Sequence, residues 1–361
     1  METKKSDKFL STLNAARKGD ADALFILGVM YENGEETEQN YAEAYKYYKL
    51  AAEQGNIKAQ VNLGVLYTNG YGVEQNYEQA FECNLVAAKQ EDATAQYNLG
   101  NMYYHGKGVE QSFIKSIEYY QLAADQGYSD AQFMLGVMYE NGEGTVQDFV
   151  EAYKYYKLAA EQGNTQAQVN LGCMYYDGKG VDQNYVKSFK YYLLAVQQGE
   201  DNQNVQYLLG NMYERGIGTE QNYAEARKYY KLAAEQGNIN AQFILGKFYY
   251  YGVDGRKDYI KSIEYFQLAA LQGDSEAQYL LGCIYNAGEV VAQDYVKAAN
   301  YFQQAAEQGN TEAQVQLGLM YYYGRGVEQD CAKGLEYCQL AIQQGNGDLQ
   351  FDLSNMDKNE E

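Results

Sequence analysis

The stretch Ala59-Gln60-Val61-Asn62-Leu63-Gly64-Val65-Leu66-Tyr67-Thr68-Asn69-Gly70-Tyr71-Gly72-Val73-Glu74-Gln75-Asn76 decides the fold. On a wheel of 100° per residue, Ala59, Leu63, Leu66 and Tyr67 form one continuous apolar stripe, the mark of a helix with one buried face. Gly64 sits inside that helix, where glycine costs about 1 kcal/mol relative to alanine, so its presence needs a packing reason. A second helix approaching closely at that point supplies one. Gly70 then stops the helix, and the loop through Gln75 delivers Asn76, whose side chain can accept a hydrogen bond from the free N–H groups of a following helix.

Working outward, the Leu-Gly pair recurs with glycines at Gly28, Gly64, Gly100, Gly136, Gly172, Gly210, Gly246, Gly282 and Gly318, every interval being 36 except one of 38. Self-similarity at this period marks a solenoid, in which each unit buries its apolar face only against its neighbours. The capping position recurs as Asn40, Asn76, Ser112, Asp148, Asn184, Asn222, Asp258, Asp294 and Asp330, and Glu43, Gln79, Glu151 and Glu225 complete capping boxes. The second helix, as in Tyr41-Ala42-Glu43-Ala44-Tyr45-Lys46-Tyr47-Tyr48-Lys49-Leu50-Ala51-Ala52, ends at a glycine such as Gly55 in all units except the second, which has Glu91. Helices of about 12 to 14 residues are marginal alone, so stacking must stabilise them. The absence of proline agrees with near-continuous helix, and the 41 tyrosines suit recurring core and interhelical positions.

The chain is therefore expected to be all-α, with nine helix-turn-helix repeats over residues 21–345 and a slight break where two extra residues fall near 200–204. Residues 1–20 should form an N-terminal capping helix. A degenerate C-terminal capping segment at 346–354, where Leu353-Ser354 replaces Leu-Gly, should close the last apolar face, and 355–361 should be a disordered tail.

These residues resemble the Sel1-like repeat family, a TPR-like group whose pattern runs A-x-x-x-L-G-x-x-Y-x-x-G-x-G-V-x-x-D-Y-x-x-A-x-x-Y-x-x-A-A-x-x-G; the resemblance covers about residues 7–354. It implies an α/α right-handed superhelical solenoid whose first helices line a concave side. It also implies adaptor roles: subunits of protein-degradation complexes in eukaryotes, and signalling scaffolds, envelope factors and host-directed effectors in bacteria. A cysteine-bridged branch of the family, once credited with hydrolase activity, carries paired cysteines around the inter-repeat turn, where this chain has alanine and glutamine.

Twenty-eight basic against 49 acidic side chains give a net charge of −21, which repels phosphate backbones and anionic membrane surfaces. A nucleic-acid role is excluded on that ground. The same charge would favour a basic partner, or serve only to keep a long surface soluble. No apolar run is long enough for a membrane span and the start lacks the apolar core of a signal peptide, so the chain reads as cytoplasmic and not membrane-inserted, or as exported if a signal was trimmed or is of another kind. The five cysteines (Cys83, Cys173, Cys283, Cys331, Cys338) have no recurring pair and read as reduced apolar fillers. A single histidine, His105, leaves no histidine-rich metal cluster and no recurring base, and it reads most simply as an incidental surface residue. Gly100 to Lys107 and Gly172 to Lys179 imitate phosphate loops, but the spacing is one too long and glycine follows the lysine. No cofactor and no catalytic function are expected.

What remains is a surface. The positions two before, one after and five after each repeat glycine stay open on the first helix, and of these 27 only Asp177, Arg215 and Lys247 are charged. Candidate partner-binding residues there are Asn62, Asn98, Asn101, Asn170, Asn211, Arg215, Lys247 and His105, with the neighbouring Tyr104, Tyr176, Tyr250, Tyr251, Tyr322 and Tyr323. Tyrosine offers large contact area at small entropic cost. Two readings stand open: a binding groove, or a crowded inner wall. The expected function is a non-enzymatic adaptor, monomeric, holding a protein or peptide in a concave groove. The alternatives are an inhibitor or immunity protein that neutralises a basic toxin or enzyme, and a secreted bacterial effector that engages a host protein.

Overall fold

The computed structural model describes residues 7–344 apart from Asp254 and Arg256, and among them are 19 α-helices and no strand. The expected capping segment at 346–354 and the tail at 355–361 lie outside the described residues, as do the first six of the expected N-terminal cap. The chain divides into two compact units, Met1–Gly199 and Glu200–Glu361. In the first, α1 (Asp7–Arg17) precedes five helix pairs: α2 (Ala21–Asn33) with α3 (Tyr41–Glu53), α4 (Ile57–Asn69) with α5 (Tyr77–Ala88), α6 (Ala93–His105) with α7 (Phe113–Asp125), α8 (Ser129–Asn141) with α9 (Phe149–Glu161), and α10 (Thr165–Asp177) with α11 (Tyr185–Gln197). The second holds four: α12 (Gln203–Arg215) with α13 (Tyr223–Glu235), α14 (Ile239–Tyr251) with α15 (Tyr259–Leu271), α16 (Ser275–Ala287) with α17 (Tyr295–Glu307), and α18 (Thr311–Tyr323) with α19 (Cys331–Gln343). Within each unit, helices pack chiefly on their neighbours in sequence. The chain is an all-α repeat solenoid.

The first and second helices of a repeat, A and B, are built as the periodicity requires. Ala59, Leu63 and Leu66 are buried, as are Ala44, Tyr48 and Ala51 on the preceding B helix. All nine B helices start on the expected cap, each side chain accepting from a backbone N–H of the first turn, as Asn76 does from Gln79 N at 2.9 Å. Each A helix ends at a left-handed glycine, such as Gly70 with φ 72°. The glutamine before the next cap closes a free carbonyl there: Gln75 Nε2 donates to Thr68 O at 2.7 Å, and Gln111, Gln147, Gln183 and Gln221 act likewise.

The A helices start two residues earlier than the Ala-Gln pair proposes. Asn56 caps α4 by accepting from Ala59 N at 2.9 Å, and Asp20, Asp92, Asn164, Asn202, Asn238, Asp274 and Asn310 do the same elsewhere, while Tyr128 alone makes no side-chain cap. These caps also tie repeats together, since Asn164 Nδ2 donates to Asp130 Oδ1 of the repeat before it at 3.1 Å and Asn238 Nδ2 to Asn204 Oδ1 at 3.2 Å. A buried glutamine near the start of the A helices from α6 onward adds a second tie in several of them: Gln132 and Gln242 donate to Ala124 O and Ala234 O. At the longer turn, Gln206 donates instead to Asp201 Oδ1 at 3.0 Å.

Candidate functional site

The packing reason for the mid-helix glycine is an aromatic ring. A methyl group on Gly136 would stand 2.5 Å from Tyr156 Cδ1 and Cε1, and Tyr48, Tyr120, Tyr192, Tyr230, Phe266 and Phe302 lie in the same way against Gly28, Gly100, Gly172, Gly210, Gly246 and Gly282. The ring crosses under the A helix and, where it is tyrosine, its hydroxyl emerges at the open window. Tyr48 donates to Glu32, Tyr156 to Glu140 at 2.6 Å and Tyr230 to Glu214 at 2.6 Å, while Tyr120 donates to Asn101 Oδ1 at 2.7 Å and Tyr192 to Cys173 Sγ at 3.2 Å. Asn62, Asn170 and Asn211 also bond the hydroxyls of Tyr48, Tyr156 and Tyr230. Burial first, and the carboxylate partner next, push these three hydroxyls far above the ordinary tyrosine pKa.

Several candidate residues thus satisfy buried rings, a role that residue spacing alone does not reveal. Glu32, Glu140 and Glu214, four after the repeat glycine, were not among the candidates at all; a glutamate in the row otherwise rich in tyrosine was the available signal. The tyrosines of that row pack on the first ring of their own B helix: Tyr104 on Phe113, Tyr176 on Tyr185 and Tyr250 on Tyr259, at 5.2 to 5.5 Å between centroids. Tyr104 Oη also reaches Glu143 Oε2 of the next repeat at 2.7 Å. Lys247 lies over the Phe243 ring at 5.4 Å, Tyr322 touches Tyr323 edge-on at 5.2 Å, and Arg215 is exposed.

Two pockets open on this window, one in each unit. The first, about 190 Å³, is lined by Gly64, Val65, Thr68, Asn69, Asn84, Asn98, Asn101, Met102, His105 and Lys107. Asn84 Oδ1 accepts from Asn98 Nδ2 at 3.0 Å, and Asn84 Nδ2 donates to Ala80 O at 2.8 Å. The pocket therefore offers amide groups and an aliphatic wall of Val65 and Met102. The second, about 170 Å³, is lined by Tyr250, Tyr251, Phe266, Leu280, Cys283, Ile284, Ala287, Glu289 and Val290, and is largely apolar. The two differ in what lies beneath them: the Asn84 amide under the first needs polar neighbours such as Asn98, whereas the Phe266 ring under the second needs none, so Leu280 and Cys283 can surround it. The structure brings Asn98, Asn101 and His105 together in the first pocket and Tyr250 and Tyr251 in the second; it leaves Asn170, Tyr176, Arg215 and Lys247 outside both.

The chemistry on offer is hydrogen bonding and apolar contact. Burial pushes the Cys83 thiol up to about 11 and raises Cys173, Cys283 and Cys338 as well, which keeps these thiols protonated and poor nucleophiles near neutrality. Among the described residues there is no group of three or more His, Cys, Asp or Glu side chains placed to hold a metal ion. No helix among them is long and apolar enough to cross a membrane.

Stacked helical hairpins with a ring-on-glycine joint in seven repeats and a varied open face define a helical-repeat protein of the kind that typically works through protein–protein contacts. The chain belongs to the Sel1 repeat family, which matches residues 21–56, 57–92, 93–128, 129–164, 165–200, 204–238, 239–274, 275–310 and 311–346. Among solved structures, it is similar to a protective antigen present in uropathogenic Escherichia coli strains that displays the same fold, with 33% identity and a TM-score of 0.77 over 96% of this chain and 82% of that one. It is also similar to a Sel1 repeat protein from Oxalobacter formigenes, with 30% identity and a TM-score of 0.57 over 68% and 96% of the two chains. An immunity protein from Pseudomonas aeruginosa is more distant, at 23% identity and a TM-score of 0.38 over 60% and 81%. No curated protein matches the sequence.

Proposed function

We propose that the protein is a non-enzymatic scaffold that holds a partner protein or peptide against the open faces of its A helices. The observation that supports this reading is that each unit has a pocket on that face, and that both are lined by positions that differ from repeat to repeat. Amide side chains such as Asn101, whose N–H groups have no partner among the described residues, suit the backbone of an extended peptide; the apolar pocket suits an aliphatic or aromatic side chain.

The test must spare residues that hold the fold. Asn101, Asn62 and Tyr104 carry structural hydrogen bonds, so their removal would confuse loss of binding with loss of packing. Val65, Asn69 and His105 in the first unit, and Tyr251 and Tyr323 in the second, are exposed at the window. Changing either set to serine should leave the helical circular dichroism intact and weaken capture of a partner from the native cell. Capture that survives both sets would move the site to the B-helix face. Binding that collapses at high salt with the window intact would favour the inhibitor reading, in which the acid-rich chain meets a basic partner.

A further inference from the structure

The repeat 2 pocket is a hollow left by one missing ring. In seven repeats, the eighth residue of helix B is an aromatic pressed on the A-helix glycine; in repeat 2 it is Asn84, which is 2% exposed. Repeat 9 also lacks the ring, having Cys338, yet it closes the space by bringing the helices together. There Gly334 replaces the usual alanine or serine, and Gly334 O comes within 2.8 Å of where a Cβ on Gly318 would lie. In repeat 2, Ala80 holds that position, and Ala80 O stays at 3.4 Å from the corresponding Cβ of Gly64. The helices keep the separation that a ring requires, and no ring is supplied. The result is the cavity of about 190 Å³ between Gly64, Asn84 and Asn98.

We infer that this hollow receives the phenol ring of a tyrosine side chain from the bound partner. The inference rests on the scaffold reading above and names what the first-unit pocket takes. Shape is the first argument: Asn84 covers Gly64, its Nδ2 at 2.6 Å from where a Cβ would lie, but its side chain is shorter than a ring, and the space beyond it, bounded by Thr68 and Asn98, stays open where the outer half of a ring would extend. Polarity is the second. In repeat 1, the Tyr48 hydroxyl meets Glu32 and Asn62; the same register one repeat later is Thr68 and Asn98, and both line the pocket. Asn98 Oδ1 and Thr68 Oγ1 can each accept a phenolic proton, because Asn98 is engaged through Nδ2 and Thr68 through its own hydroxyl hydrogen to Gly64 O at 2.8 Å. A cavity of about 150 Å³ is enough to hold benzene in an engineered protein, so a phenol is of the right size. The exposed Val65 and His105 stand at the mouth.

The experiment is Asn84→Tyr, which gives repeat 2 the ring of its neighbours on a backbone already spaced for it. The variant should melt no lower than the parent and lose the pocket. Ligand-observed NMR with p-cresol should show millimolar binding to the parent, at least tenfold weaker binding of toluene, and no binding of p-cresol to Asn84→Tyr. Equal binding of p-cresol to both proteins, no binding to the parent, or equal binding of toluene would each overturn the inference. A partner captured by the parent should be lost by Asn84→Tyr. If the partner is retained by Asn84→Tyr and lost with the serine changes at Val65, Asn69 and His105, the tyrosine anchor is wrong and the scaffold reading stands. If all variants retain it, both fall.

Discussion

At the scale of single residues, the fold turns on steric allowances that differ from copy to copy. Gly136→Ala gains helix propensity of about 1 kcal/mol but drives a methyl into the Tyr156 ring, and overpacking of this kind costs typically about 1–3 kcal/mol, so urea denaturation should show a net loss of up to about 2 kcal/mol. Gly64→Ala meets the amide end of Asn84 instead of a ring, so the same substitution should be close to neutral there; equal losses at both sites would refute the ring as the reason for the glycine. Glu91 holds a left-handed backbone with φ 63° where the other repeats use glycine. Glu91→Gly should therefore stabilise the protein by about 0.5–1 kcal/mol, visible as a higher melting temperature. Cys83, with its thiol pushed up to about 11, should alkylate far more slowly near pH 8 in the native protein than after unfolding, and its rate should climb as the pH approaches 11. The glycine was legible as a site of close approach. The identity of what approaches was not, because a ring 20 residues away announces itself only once the two helices are placed together.

At the scale of helices, the caps carry most of what sequence could and could not say. The B-helix caps followed from a loop of fixed length ending in Asn, Asp or Ser, and all nine behave as expected. The A-helix caps were hidden beside the glycine that ends the preceding helix, where Gly55-Asn56 reads equally well as turn punctuation. Asn164→Ala removes both the cap of α10 and the bond to Asp130, so it should cost about 1–2 kcal/mol, most of it from the cap. An effect under a few tenths of a kcal/mol would show that water replaces the cap freely. The window positions are half-buried or exposed, but their asparagines divide into those that bond a group on the other helix and those that face solvent. That division follows position, since Asn33, Asn69 and Asn141, five after the glycine, are exposed, while those nearer the glycine meet a group on the other helix whose identity a single-helix wheel does not contain.

At the scale of the whole molecule, the recurring tyrosines set the response to alkali. The buried hydroxyls of Tyr48, Tyr120, Tyr156, Tyr192 and Tyr230 titrate above the ordinary value near 10, chiefly because burial disfavours the anion. Above about pH 10 the unfolded chain gives up protons that the folded chain keeps, so this contribution to stability is complete below that pH and is lost as the pH rises through the folded values. Tyrosinate absorbance from these rings should appear together with the loss of helix above about pH 10; full ionisation at about pH 10 with the helix unchanged would contradict their burial. The ties between repeats have another consequence. Repeats 5 and 7 grip the repeat before them in the same way, a cap amide reaching back and a buried glutamine donating to a backbone carbonyl. Wherever joints are interchangeable, recombination between copies of the repeat can insert or delete a whole one without creating a new interface to be optimised. Lineages of such a gene can thus change their reach and their arrangement of pockets in one genetic event, leaving point mutation to adjust only the faces that touch a partner.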